Sequence, residues 1–168
     1  MRILITGTES TGKSTLAAAL SETLGWTWVP EYARLYLEEN GKGYTQQDLL
    51  KIAKGHFKQV KKYKAEQPLI LDTYLLNIKI WSLEKYGTCH PWISHQLERS
   101  VEEKLYDQVL LCTPDLTWIQ DGLRENPKSA NRLHQIFISE LNCLRLDYLV
   151  VSGQGIQRTR SALAALGH

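Results

Sequence analysis

Residues 7–14 read GTESTGKS: a glycine, four variable positions, then Gly-Lys-Ser, the spacing of a loop that cradles the phosphates of a nucleotide. In such a loop Gly7 and Gly12 let the amides of Glu9, Ser10, Thr11 and their neighbours turn inward towards phosphate oxygens, with the positive end of the following helix behind them. Lys13 would reach the β- and γ-phosphates, and the Ser14 hydroxyl would bind Mg²⁺. The motif carries weight only between a strand and a helix, and both flanks comply. Arg2 to Thr6 is a short apolar run, and Thr15 to Leu20 is rich in helix formers. ATP and Mg²⁺ are the expected cofactors.

A second reactive group is Asp72, at the end of the apolar run Leu69-Ile70-Leu71. Ligands of open α/β sheets gather at the carboxyl ends of the strands, so this carboxylate is expected to face the phosphates. It would hold Mg²⁺, directly or through water, or orient and deprotonate an acceptor hydroxyl; both roles stay open, and a helix N-cap is compatible with either. Asp107 lies at the entering end of its strand, and Asp115 sits in a Pro-Asp turn where a structural role suffices. Pro30-Glu31-Tyr32-Ala33-Arg34 follows the second apolar run and opens on the same rim, which makes Glu31, Tyr32 and Arg34 candidates for binding the acceptor. Glu31 and Arg34 equally fit an i,i+3 surface pair.

These groups need a scaffold, and the chain supplies the pattern for one. Apolar runs recur at Trp26 to Val29, Pro68 to Leu71, Gln108 to Cys112 and Tyr148 to Val151, separated by helical stretches. Short, nearly continuous apolar strands alternating with helices predict an α/β fold with a five-stranded parallel sheet covered on both faces. Helices are predicted over Glu31 to Glu39, from an N-cap at Thr45 with Asp48 three residues on towards Glu66, over Leu75 to Tyr86, and from Pro91 onward. The stretch 114–131 carries prolines and a glycine, in the position of a lid over the phosphates. Arg124, Lys128 and Arg132 are its available cations. After the last strand, Ser152 to Arg158 is either a glycine-rich turn or an adenine seat, with Gly155 near the base and Arg158 stacked on it or facing solvent.

Composition narrows the options. With 168 residues and 43% hydrophobic content, one domain spanning 1–168 with a substantial core is expected. Formal charge is +2, and the twenty Lys and Arg are spread along the chain, which gives no footprint for nucleic acid; the cluster Lys58, Lys61, Lys62 and Lys64 reads as a solvated helix face. No apolar run approaches a membrane span and no signal peptide precedes the first strand, so a cytoplasmic location without membrane association is expected. Cys89, Cys112 and Cys143 are few and scattered, and reduced thiols are the default. Oligomeric state has no signature in the chain.

The blocks GTESTGKST, PEYAR-x-YL, DLLKIAKG, LDT, IKIWS-x-x-KYG-x-x-HPW, YD-x-x-LLC and W-x-x-DGLRE occur in that order along nearly the whole chain. In this the sequence resembles the NadR-like family of P-loop ATPases and kinases, whose kinase domain acts on nicotinamide riboside. The resemblance implies a nucleotide-kinase-like fold with strand order 2-3-1-4-5 and a lid. It also implies transfer of the ATP γ-phosphoryl to the 5′-hydroxyl of nicotinamide riboside, giving nicotinamide mononucleotide for NAD biosynthesis. By position it matches Gly12, Lys13, Ser14 and Thr15 to the ATP-phosphate loop, Asp72 to the acidic residue after the third strand, and Arg124 to the lid arginine. Glu31, Tyr32 and Arg34 match the riboside-pocket block, and Trp118 a tryptophan ahead of the lid.

The chain departs from the family at Tyr74, where Asp-Thr-Asp is common, and at Pro30, where multidomain members carry an aromatic residue; both changes bear on the acceptor. A cationic aromatic acceptor wants aromatic faces and a carboxylate. Tyr32, Tyr36, Tyr74, Trp81 and Trp118 are candidates for the faces, with Trp81 expected in the core. The alternatives to nicotinamide riboside are another nucleoside or small alcohol, or a non-catalytic ATP-binding regulatory module.

Overall fold

The computed structural model describes residues 1–41, 43–115 and 130–167. Its centre is a five-stranded sheet in the order β2-β3-β1-β4-β5. The strands are β1 (Arg2–Thr6), β2 (Thr27–Val29), β3 (Leu69–Asp72), β4 (Gln108–Cys112) and β5 (Tyr148–Val151), and every pairing is parallel. Around them run α1 (Lys13–Leu24), α2 (Tyr32–Asn40), α3 (Gln46–Val60), α4 (Leu75–Tyr86), α5 (Pro91–Glu102), α6 (Ala130–Cys143) and α7 (Ile156–Ala165). The predicted strand order and all five predicted strands are present.

The unbroken apolar strands reflect burial on both faces. Side chains alternate along β1: Ile3 and Ile5 join Ile70, Leu110, Cys112 and Val151 under α1 and α7, whereas Leu4 joins Leu69, Leu71, Val109 and Leu111 in the larger core on the opposite side. A one-residue slip would exchange the two cores, so the register is strongly specified.

Local signals set most helix boundaries. Thr45 and Asp48 form a reciprocal capping box at the start of α3, and Gly25 and Gly87 end α1 and α4 in the left-handed conformation. One boundary differs from expectation. Helix α3 ends at Val60 rather than near Glu66. The buried Arg2 guanidinium binds the Lys64 carbonyl at 2.6 Å and the Tyr63 carbonyl at 3.4 Å, which stabilises a turn where helix would otherwise continue. The same residue's amide binds Asp107 at 2.7 Å, fixing that carboxylate at the amino-terminal edge of the sheet.

Because all strands run the same way, the segments following β1, β2, β3, β4 and β5 emerge on one rim. The residues singled out for chemistry lie along it.

Candidate functional site

At the centre of that rim the chain leaves β1 through a loop built from close backbone approaches. Gly7 adopts φ 135, and a Cβ there would lie 2.8 Å from the Cys112 carbonyl oxygen, so the neighbouring strand leaves room only for hydrogen. Gly12 takes φ 70 as the N-cap of α1. The Thr11 hydroxyl closes the loop on the Thr8 carbonyl at 2.8 Å, and Lys13 Nζ donates to that same carbonyl at 2.5 Å. A triphosphate would draw the ammonium outward, exchanging a neutral acceptor for a dianionic one.

Two residues brace this loop from outside it, and sequence reasoning missed or misread both. Asn77 on α4, which had no distinguishing motif, is 5% exposed. It accepts the Thr6 hydroxyl at 2.7 Å and donates to the Gly7 carbonyl at 3.1 Å. Arg158 corrects an expectation: it neither stacks at an adenine seat nor faces solvent, being 3% exposed. Its guanidinium binds Thr11 O at 2.8 Å, Gly153 O at 2.8 Å and Thr113 O at 3.2 Å, and pairs with Asp115. Asp115 also accepts the Gly153 amide at 2.7 Å. One planar cation thereby joins the phosphate loop to the ends of β4 and β5, a use suited to arginine's fixed fork of donors.

Beside the loop, β3 delivers Asp72, 1% exposed, opposite Ile5 in the β1 register. Burial pushes its carboxyl above the usual range, against the opposing pull of the Ser14 hydroxyl bonded to it and the Lys13 and Arg34 charges. Its Oδ1 is buried without a hydrogen-bond partner. A hard oxygen donor left unsatisfied beside a serine hydroxyl fits Mg²⁺, which takes one or two protein oxygens and keeps several waters. Left-handed backbone at the non-glycine residues Ser10 (φ 58) and Thr73 (φ 66) places strain on both sides of this point.

A cavity of about 460 Å³ joins these groups to a second, apolar chamber. Gly7, Glu9, Ser10, Thr11, Gly12, Lys13, Ser14, Thr15 and Asp72 line the phosphate end, with Glu31 and Arg34 on the α2 side. Leu37, Tyr44, Leu49, Ile52, His56, Ile78 and Trp81 line much of the remainder, together with Trp28, Pro30, Ala33, Leu35, Thr73 and Asn77. Trp81 was expected in the core; it is half-buried and forms part of the wall.

Several expectations meet a different arrangement. Tyr32 is absent from the cavity lining, because its ring lies over α3 at Gly55, where a Cβ would come within 2.0 Å of Tyr32 Cε1. Tyr74, 1% exposed, is core and meets His56 edge-on at 5.3 Å. Tyr36 turns its hydroxyl to Asp48 at 2.8 Å. Arg132 holds Glu84 of α4 in a two-point ion pair and does not line the cavity, and Gly155 caps α7 with neither a cavity contact nor an atom within 4 Å of its Cβ position. Trp118, Arg124 and Lys128, with most of the lid stretch 114–131, lie outside the described residues.

A phosphate loop between the central strand and first helix of a 2-3-1-4-5 parallel sheet defines a P-loop nucleotide-binding protein of nucleotide-kinase-like architecture. The AAA domain family model matches residues 2–158, and the chain belongs to that family. It is 30% identical over 139 residues to the trifunctional NAD biosynthesis/regulator protein NadR of Salmonella typhimurium (strain LT2), covering 77% of this chain and 32% of that protein. The chain thus spans about a third of the curated relative it matches. A crystal structure of NadR protein in complex with NR superposes with TM-score 0.76 at 20% identity, covering 98% of this chain and 50% of that one. Deoxyadenosine kinase from M. mycoides superposes with TM-score 0.68 at 18% identity, covering 99% of each chain. The motif-based resemblance holds: this is a NadR-like P-loop domain. Among the described residues no helix is long and apolar enough to cross a membrane.

Proposed function

We propose that this chain is an ATP-dependent small-molecule kinase whose acceptor is a nucleoside, with nicotinamide riboside the best fit. The observation that carries the reading is the continuity of one cavity from Lys13 and Ser14, past Asp72, to a chamber walled by Trp81, Tyr44, Ile52 and Ile78. A phosphoryl donor and a flat, largely apolar acceptor would meet at the carboxylate. Glu31, on the same wall, suits an acceptor whose aromatic ring carries positive charge.

Lys13 and the loop amides would grip the triphosphate, and Ser14 with Asp72 would hold Mg²⁺, whose role when bound is to neutralise charge on the bridging and terminal phosphate oxygens. Asp72 also orients the 5′-hydroxyl and accepts its proton as the O–P bond forms and the bond to ADP breaks. A carboxyl held above its usual range by burial is a better base than an ordinary aspartate. Glu31 and Arg34 would position the ribose and base. Arg124 would be the cation offered to the transferring phosphoryl group, with the stretch 114–131 as the lid of a single domain over 1–168. Tyr32 would act by holding α2 against α3.

A second reading, phosphorylation of another nucleoside, is favoured by Pro30 on the cavity wall, where a stacking aromatic is expected for a pyridinium ring. One assay separates these readings: ADP release with Mg-ATP across a nucleoside panel that includes nicotinamide riboside. Turnover restricted to nicotinamide riboside supports the first, turnover of a different nucleoside replaces it with the second, and no acceptor-dependent turnover overturns the kinase reading.

A further inference from the structure

Buried polar atoms in folded proteins are nearly always hydrogen-bonded, so those that are not mark places where a partner is missing. Among the described residues, Ser10 Oγ, Trp28 Nε1, His56 Nε2 and Asp72 Oδ1 are buried without partners, and all belong to residues lining the cavity described above. Ser10 and Asp72 stand at the phosphate end, where a nucleotide and its metal ion account for them. His56 lies instead on α3, among the apolar lining residues Leu49 and Ile52.

We propose that His56 is the specificity-determining residue of the acceptor chamber, using its ring nitrogen to hydrogen-bond a polar substituent on the acceptor's base. The inference rests on the kinase reading above and extends it to the base edge. His56 lies on α3, one turn beyond the cavity-lining Ile52, and is 1% exposed. Tyr74 holds the ring edge-on at 5.3 Å, which limits its rotation. The neighbouring lining residues Leu49, Ile52 and Ile78 are aliphatic and offer no side-chain hydrogen bond of their own.

Burial without a charged partner lowers the His56 pKa to about 3, so the imidazole is neutral at physiological pH. A neutral imidazole presents one donor and one acceptor and adds no positive charge beside a cationic ring. The fitting acceptor is a nucleoside whose flat base stacks in the apolar chamber and carries an amide or similar hydrogen-bonding group. A base lacking that group would leave the buried nitrogen unpaired, and an unpaired polar group is how a site rejects an analogue.

The test compares wild type, His56→Phe and His56→Asn by titration calorimetry and, where turnover occurs, by steady-state kinetics. The acceptors are nicotinamide riboside and the pyridinium riboside without its carboxamide. His56→Phe is expected to weaken nicotinamide riboside about 10-fold in Kd or KM, the worth of one hydrogen bond, with KM for ATP unchanged. His56→Asn should recover part of the loss, and the carboxamide-free riboside should bind His56→Phe at least as tightly as wild type. Thermal melts confirm that each variant is folded. Equal affinity of wild type and His56→Phe for nicotinamide riboside would overturn the inference and leave His56 as core packing, as would failure of wild type to bind any nucleoside. Binding that depends on His56 without any turnover would instead sink the kinase reading and leave this contact standing.

Discussion

The two ends of the cavity are built on different principles. At the phosphate end, backbone groups would do the binding and polar side chains brace them: Asn77 holds Gly7, Thr11 holds Thr8, and Arg158 ties the loop to the ends of β4 and β5. At the proposed acceptor end, the walls are mostly apolar side chains from α2, α3 and α4 with Glu31 and Arg34 beside them, and the buried His56 Nε2 has no partner. The first arrangement is a preorganised electrostatic surface whose energy is spent before the ligand arrives. The second leaves a hydrogen bond to be completed by whatever enters. One end suits a cofactor shared by many proteins, the other a particular acceptor.

The largest effect expected from that contrast belongs to the phosphate end. Lys13→Ala should lower kcat by at least ~10³-fold, as loss of a preorganised charge at the transferring group does, with melting temperature nearly unchanged. Steady-state kinetics beside a thermal melt decide it, and retained turnover would remove the lysine from the mechanism.

Asp72 stands at the junction and should separate activity from stability. Its carboxyl is held above the usual range by burial, so Asp72→Asn removes a poorly solvated charge and is expected to raise the melting temperature while lowering kcat by about 10²-fold or more. ATP binding measured by calorimetry should persist. Full activity in this variant would end the role given to the carboxylate.

Arg158→Met probes the bracing. The guanidinium is buried although Asp115 is exposed, and removing it strands the Thr11, Gly153 and Thr113 carbonyls, at about 1–3 kcal/mol for an acceptor left unpaired. Chemical denaturation should show a loss of that order, accompanied by a raised KM for ATP and an unchanged KM for the acceptor. A change confined to the acceptor would break the division between the two ends.

At neutral pH the smallest effect belongs to the acceptor end, where a pH dependence emerges only on acidification. The His56 pKa falls from 6.5 in the unfolded chain to about 3 in the folded one, so unfolding takes up a proton between those values. Its contribution to stability is intact above about pH 6.5 and is lost as pH falls towards 3, at up to about 1.4 kcal/mol per pH unit. Unfolding free energies of wild type should therefore decline more steeply with acid than those of His56→Phe. Parallel slopes would show that the histidine is not buried as described.

Much of the phosphate end was legible in the chain. The loop spacing specifies backbone geometry, backbone geometry specifies where amides point, and the flanking strand and helix are local features. The five strands, their order through the family resemblance, and helices such as α4 over Leu75–Tyr86 were accessible for the same reason. Arg158 was not: the residues it joins lie at sequence separations up to 147, and nothing local distinguishes it from a surface arginine on a helix. Tyr32 and Tyr74 looked like pocket aromatics, yet the bare Cα of Gly55 draws the first onto α3 and the core takes the second.

What the residues alone decided is whatever depends on neighbours along the chain: the phosphate loop, the capping box at Thr45, the apolar runs that become strands, and the carboxylate at the end of β3. What waited for the fold is whatever depends on which faces meet. Hydrogen-bond partners, the burial that raises Asp72 and neutralises His56, and the choice of aromatics that reach the cavity are set by packing between distant helices. Those interactions act over a few ångströms in space, and chain order does not encode which distant groups come that close.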